Sequence, residues 1–121
     1  MNKPDLAGRR ILVLEDEFFL CDDICRQIDD CGGVVVGPAP TLDGGYALLQ
    51  NEPLPDGSIL NIRLGNELSY PLVDDLLAAG VPVIFASSED KASIPKEYAS
   101  IPLVPKPINL MIVAEKLFPS P

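Results

Sequence analysis

Acidic, hydroxyl and basic side chains follow short apolar runs at several points of the sequence. Glu15 and Asp16 come directly after one such run, Asn61 lies near the end of a second, Ser87 ends a third, and Lys106 follows a fourth. Carboxylate oxygens are ligands that Mg²⁺ prefers, and a hydroxyl and an ammonium can hold a phosphoryl group beside the cation. Each residue alone could be an ordinary solvated side chain. The prediction of a site therefore depends on whether the fold brings these residues together.

Charge and composition argue against several classes of function. The sequence has 18 acidic and 9 basic side chains, a net charge of -9, and no histidine. A surface of this charge repels phosphate backbones and anionic lipid headgroups, so we expect neither nucleic acid nor a membrane as a partner. The absence of histidine removes histidine general bases and imidazole metal ligands. Much enzyme chemistry is thereby excluded, and we expect a protein that is not an enzyme.

Length and cysteine content indicate a single cytoplasmic domain. A chain of 121 residues is the size of one ordinary domain, so we expect one domain over 1–121 without an output domain. The three cysteines lack the spacing of a zinc site, and no signal peptide precedes them. This pattern fits thiols in the reducing cytoplasm.

Apolar periodicity predicts five short strands that alternate with helices. The predicted strands are 10–14, 34–36, 58–62, 81–86 and 101–104. The predicted helices are 18–31, a second from its cap Thr41 to Glu52, 70–79, and a last from its cap Asn109 to Leu117. We expect Gly37-Pro38 to end the second strand and Gly65 to lie in a loop. Between 87 and 100 only 94–98 could form a helical turn, and Pro95 limits it.

This alternation predicts an α/β fold with a five-stranded, doubly wound parallel sheet covered by helices on both faces. In such sheets ligands bind at the carboxyl ends of the strands. The acidic pair, Asn61, Ser87 and Lys106 all come at predicted strand ends. The fold therefore predicts that these side chains converge on one edge.

Four motifs along the chain resemble the receiver domains of bacterial two-component response regulators. They are I-L-V-L-E-D-E (11–17), P-D-G-S-I-L-N-I-R-L-G (55–65), V-P-V-I-F-A-S (81–87) and V-P-K-P (104–107). The resemblance implies a flavodoxin-like sheet of strand order 2-1-3-4-5. The stretch F-A-S-S-E (85–89) is similar to a subgroup of single-domain receivers with F-A-T-G at this point and a reduced fourth helix.

The resemblance also implies a role for each site residue. Glu15 and Asp16 would bind Mg²⁺ together with the residue at position 61 and the backbone carbonyl of Arg63, while Ser87 and Lys106 would contact the phosphoryl group. The family's Lys-Pro peptide is usually cis, so we predict a cis bond between Lys106 and Pro107.

The departures from the family pattern matter most for function. Asn61 stands where the family has its phosphoacceptor aspartate, and a neutral amide is a very poor nucleophile. We therefore expect no ordinary phosphorylation, weak or absent Mg²⁺ binding, and a Lys106 that has lost one likely salt-bridge partner. Asp56 is not a substitute, because five strand residues place it about 16 Å away. Leu103 stands where many receivers carry an aromatic switch residue, so that switch cannot operate in its usual form.

Three functions remain open from the sequence. The chain could be a receiver-like module that binds a sensor histidine kinase, a histidine phosphotransfer protein or another regulator without phosphorylation. It could instead be an ordinary receiver in which Asn61 is an engineered or recent replacement of aspartate. A flavodoxin-like cofactor binder is a remote alternative, because the acids after the first strand would repel a cofactor phosphate.

Overall fold

The computed structural model describes residues 4–119 and has five parallel strands in one sheet, a short hairpin and four helices. The strands are β1 (Arg10–Leu14), β2 (Val34–Ala39), β3 (Gly57–Leu60), β4 (Arg63–Leu64), β5 (Glu67–Leu68), β6 (Val83–Ala86) and β7 (Leu103–Val104). The helices are α1 (Phe18–Asp30), α2 (Leu42–Asn51), α3 (Tyr70–Ala78) and α4 (Leu110–Leu117). The parallel sheet has the order β2-β1-β3-β6-β7, and β4 pairs with β5 separately. The predicted fold class and the 2-1-3-4-5 order of the sheet strands are confirmed.

Alternate residues of the central strands belong to two separate cores. Leu12 and Leu14 of β1 join the buried cluster that includes residues of α2 and α3. Ile11 and Val13 join the cluster that includes residues of α1 and α4. Because helices cover both faces, the middle of the sheet is mostly apolar, and the strands appear in the sequence as nearly continuous apolar runs. Ser58 of β3 is buried and polar, and its hydroxyl donates to the Pro82 carbonyl at 2.9 Å.

The second strand and the loop after the third strand differ from prediction. β2 does not end at Gly37-Pro38 but continues to Ala39, which pairs with Leu14 after a shift of register. Gly37 has a φ of +99°, a conformation that glycine adopts without the steric cost of a side chain. Gly65, with a φ of +62°, forms the turn of the β4–β5 hairpin rather than an open loop.

The fourth helix is reduced, as predicted, to short 3₁₀ turns. The turn Lys96–Tyr98 lies within the predicted 94–98, whereas the turn Lys91–Ser93 was not predicted. Pro95 directly precedes the second turn. Tyr98 stacks on Tyr70 of α3 with ring centroids 4.4 Å apart and planes 11° apart. Its hydroxyl also donates a hydrogen bond of 2.9 Å to Asp74. The short segment is therefore attached to α3 by aromatic packing and a hydrogen bond.

Side-chain caps begin two helices at the predicted residues. The Thr41 hydroxyl accepts a hydrogen bond from the Gly44 N–H at 3.0 Å, and the Asn109 side chain accepts one from the Met111 N–H at 2.9 Å. Each cap satisfies a backbone donor that has no partner within its helix. Within residues 4–119 none of the helices combines the length and apolar character that crossing a bilayer requires.

Candidate functional site

Backbone hydrogen bonds join four strand ends in two pairs at one edge of the sheet. The Asn61 N–H donates to the Leu14 carbonyl at 2.9 Å, so the residues after β1 and β3 are neighbours. The Ser87 N–H donates to the Val104 carbonyl at 3.3 Å, which joins the ends of β6 and β7. The polar pocket at this edge has a volume of about 430 Å³. Its lining residues are Asp16, Glu17, Asn61, Arg63, Gly65, Ser87, Ser88, Glu89 and Lys106.

Glu15 and Lys106 form a buried ion pair beside this pocket. The Lys106 Nζ lies 2.8 Å from Glu15 Oε1, and only 12% and 1% of the two side chains are exposed. Lys106 therefore lacks an aspartate partner at position 61, as predicted, but it pairs with Glu15 instead, a partner that the sequence analysis did not predict. The lysine side chain is positioned by the loop after β7 close to the end of β1, so a carboxylate remains within reach although position 61 is an amide.

The Asn61 amide lies between the two acidic side chains. Its Nδ2 donates to Glu15 Oε2 at 3.0 Å and to Asp16 Oδ1 at 3.3 Å. The Gly65 N–H donates to Asp16 Oδ2 at 2.8 Å. Burial alone would raise the pKa of Asp16, but the hydrogen bonds that its carboxylate accepts from the Gly65 N–H and the Asn61 amide hold that pKa below its usual value. Asp16 is thus an anion whose charge is fixed by hydrogen-bond donors.

Ser87 and Glu89 border the pocket on the side of β6. Ser87 is buried, and its Oγ accepts a hydrogen bond of 3.0 Å from the Glu89 N–H. This bond uses a lone pair of the hydroxyl and leaves its O–H available as a donor. The exposed Arg63 of β4 lies across the same pocket. The role of its carbonyl as a metal ligand stays a prediction.

The oxygen ligands present are of the type that Mg²⁺ prefers, but their arrangement does not fit a divalent cation. An ammonium and an amide N–H already lie against the Glu15 carboxylate. A cation would have to displace these donors to reach the oxygens. In the part of the chain that the structure describes, no group of three or more acidic or cysteine side chains is placed to hold a metal ion.

The loop that carries Lys106 is held by a residue that the sequence analysis missed. The bond between Lys106 and Pro107 is cis, as predicted. Just beyond it, the side-chain amide of Gln27 donates to the Ile108 carbonyl at 2.9 Å and accepts from the Leu110 N–H at 3.1 Å. A signal for Gln27 was present in the sequence, because this polar residue lies three positions after Ile24 on the apolar stripe of α1.

Asp56 lies at the opposite end of β1 and β3 from the pocket. Its Oδ2 accepts a hydrogen bond of 2.8 Å from the Arg10 N–H at the start of β1. Its own N–H donates to the Arg10 carbonyl at 2.7 Å. The Asp56 carboxylate therefore stabilises the start of β1 by a hydrogen bond and does not contribute to the polar pocket.

An exposed aromatic pair begins α1 next to the pocket. Phe18 and Phe19 are 73% and 80% exposed, and their rings meet edge to face with centroids 5.4 Å apart. Phe18 borders an apolar groove between α1 and the end of β2. The groove is also lined by Cys21, Cys25, Pro38, Ala39 and Pro40. Exposed apolar surface of this kind marks many interaction sites.

Solved structures of receiver proteins are similar to this chain over most of its length. The response regulator PhyR from Brucella abortus is 27% identical, with a TM-score of 0.75 over 94% of this chain and 49% of its own, so this chain spans about half of PhyR. SdrG from Sphingomonas melonis Fr1 is 28% identical, with a TM-score of 0.72 over 91% of this chain and 93% of SdrG. A CheY-like receiver domain protein from Methanospirillum hungatei JF-1 shares the fold at 23% identity, with a TM-score of 0.76 over 92% and 94% of the two chains. No protein-family model and no curated protein matches the sequence.

These likenesses and the strand order define the class of protein. The chain has the fold of a response-regulator receiver domain, and the resemblance drawn from the four sequence motifs is confirmed.

Proposed function

We propose that this protein is a receiver-like signalling module, not an enzyme, that acts in two-component phosphorelay signalling by protein-protein contact and without being phosphorylated. The observation that supports this most strongly is the amide of Asn61 at the end of β3, where its Nδ2 donates to both acidic side chains. An amide is a very poor nucleophile toward phosphorus. The pocket can therefore keep a receiver's shape without its chemistry.

The partner of this module would be a sensor histidine kinase, a histidine phosphotransfer protein or another regulator in the cytoplasm. The F-A-S-S-E stretch and the reduced fourth helix support a place in the single-domain subgroup with F-A-T-G at this point. The exposed pair Phe18 and Phe19 and the groove beside it supply an apolar contact surface on the first helix. The net charge of -9 favours a partner surface with basic residues around an apolar centre.

Phosphorylation by a small phosphodonor tests the proposal directly. The chain is incubated with Mg²⁺ and acetyl phosphate, and its intact mass is measured, with a phosphorylatable receiver domain treated in parallel to verify the donor. We expect an unchanged mass, because position 61 offers no carboxylate. A phosphoryl adduct on this chain would refute the proposal.

A second candidate is an ordinary phosphorylatable receiver in which Asn61 is an engineered or recent replacement of aspartate. It is favoured by the presence of Glu15, Asp16, Ser87 and Lys106 around one pocket, since a pocket long released from phosphoryl chemistry would have lost some of them. Under this interpretation Asn61→Asp gains Mg²⁺-dependent phosphorylation in the same assay. A folded Asn61→Asp variant that stays unmodified, while the control receiver is phosphorylated, counts against it.

A further inference from the structure

Every carboxylate oxygen of the acidic pair lies against a hydrogen-bond donor or cation of the chain itself. Glu15 Oε1 contacts the Lys106 ammonium at 2.8 Å, and Glu15 Oε2 accepts from the Asn61 amide at 3.0 Å. Asp16 Oδ1 accepts from the same amide at 3.3 Å, and Asp16 Oδ2 accepts from the Gly65 N–H at 2.8 Å. Each of the four carboxylate oxygens therefore has a partner within the protein itself.

The burial of the ion pair makes this arrangement costly to open. Only 1% of the Glu15 side chain and 12% of the Lys106 side chain are exposed. In such poorly solvated surroundings opposite charges attract strongly, and removing one partner leaves a buried charge without compensation. Mg²⁺ also gives up its water ligands reluctantly. A cation would have to pay for its own dehydration and for the displacement of Lys106 and Asn61.

From this geometry we infer that Lys106 and Asn61 take the place of the divalent cation, so that the pocket does not respond to Mg²⁺. The Lys106 charge balances that of Glu15, and hydrogen-bond donors hold the charge of Asp16. The inference rests on the proposed function, which identifies the pocket as a receiver's phosphorylation pocket. It adds that the unphosphorylated protein keeps this pocket in the same state with and without Mg²⁺. Its corollary is a gain of binding: removal of the Lys106 charge leaves Glu15 in need of a cation and opens a site for one.

The test is Mg²⁺ titration of the full chain by calorimetry, without phosphate. The variants are Lys106→Met, which removes the charge but keeps the length of the side chain, and Lys116→Met, which removes an exposed lysine from α4. We expect Lys106→Met to bind Mg²⁺ roughly tenfold or more tightly than the wild type. We expect Lys116→Met to behave like the wild type. A folded Lys106→Met variant without this gain would overturn the inference.

A second measurement does not depend on how well the variant folds. In amide NMR spectra of the wild type, millimolar Mg²⁺ is expected to leave the signals of Asp16, Asn61 and Gly65 in place. Saturable shifts confined to these residues would overturn the inference even if Lys106→Met unfolds. The proposed function would survive such a result, because its own test is a phosphoryl adduct and not the binding of Mg²⁺.

Discussion

The side-chain amide of Gln27 on α1 accepts a hydrogen bond of 3.1 Å from the backbone N–H of Leu110, the first residue of α4. The same amide donates to the Ile108 carbonyl at 2.9 Å, two residues beyond Lys106. A side chain of α1, the helix that carries the proposed contact surface, therefore holds the loop that carries Lys106. Gln27 thus links the helix of the exposed aromatic pair directly to the loop beside the polar pocket.

Replacement of Gln27 is expected to destabilise the fold. Gln27→Met keeps the length of the side chain but leaves the Ile108 carbonyl and the Leu110 N–H without partners, which should lower the free energy of unfolding by about 1–3 kcal/mol. Asn51→Ala is the matched control, because the amide of the exposed Asn51 donates to Ala47 within its own helix. The effect of this variant on the free energy of unfolding should stay within about 0.5 kcal/mol. Urea denaturation measures both changes. Equal stability of Gln27→Met and the wild type would show that the amide holds nothing in place.

The stack of Tyr98 on Tyr70 is expected to fix the segment that replaces the fourth helix. Tyr98→Leu removes the stack and should cost about 0.5–1.5 kcal/mol beyond the lost burial. Tyr98→Phe keeps the ring and loses only the exposed hydrogen bond to Asp74, so its cost should stay below about 1 kcal/mol. Denaturant unfolding separates the two, and near-ultraviolet circular dichroism reports the stacked pair. Identical losses in both variants would argue against the stack.

Acidification is expected to weaken the fold partly through Asp16. Burial alone would raise the pKa of this carboxyl, but hydrogen bonding holds the pKa in the folded state below its usual value. A carboxyl of this kind stabilises the fold above its unfolded pKa, and the contribution is lost as pH falls through the folded pKa. Asp16→Asn should therefore be less stable than the wild type at pH 7, and the gap should narrow between about pH 5 and pH 3.

Stability against pH, measured by denaturant unfolding, checks the role of Asp16. Glu115→Gln, which changes an exposed acid of α4, serves as the control for the loss of one negative charge. A gap between wild type and Asp16→Asn that stays constant with pH would contradict the assignment.

Substitution of the exposed aromatic pair is expected to weaken partner binding without affecting the fold. Phe18→Ser combined with Phe19→Ser removes the apolar contacts at the start of α1, and aromatic anchors of this kind often contribute about 2 kcal/mol or more each. The control is Leu54→Ser, which changes a 52% exposed side chain in the loop before β3. Calorimetric titration against the purified kinases, phosphotransfer proteins and regulators of the source organism measures the effect. Equal affinities for the double variant and the control would place the docking surface elsewhere.

Much of the fold could be predicted because its strands are buried on both faces and because two of its helices, α2 and α4, begin with recognisable side-chain caps. The full length of β2 could not be predicted, because glycine and proline normally end a strand. Here the strand continues past Gly37 and Pro38, and Ala39 pairs with Leu14. The site residues could be placed at one edge from strand order alone. The partner of Lys106 could not be predicted, because its ion pair with Glu15 depends on a distance of 2.8 Å between segments far apart in sequence. The role of Gln27 likewise emerges only when α1 and α4 are brought together.

Partner binding with and without the conditions for phosphorylation tests the central claim most directly. The dissociation constant for the cognate partner is measured once in EDTA and once after incubation of the chain with Mg²⁺ and acetyl phosphate. Because Asn61 offers no nucleophile and the acidic pair already has internal donors, the two constants should agree. A change of about tenfold or more, equivalent to about 1.4 kcal/mol, together with a phosphoryl adduct on this chain, would contradict the account.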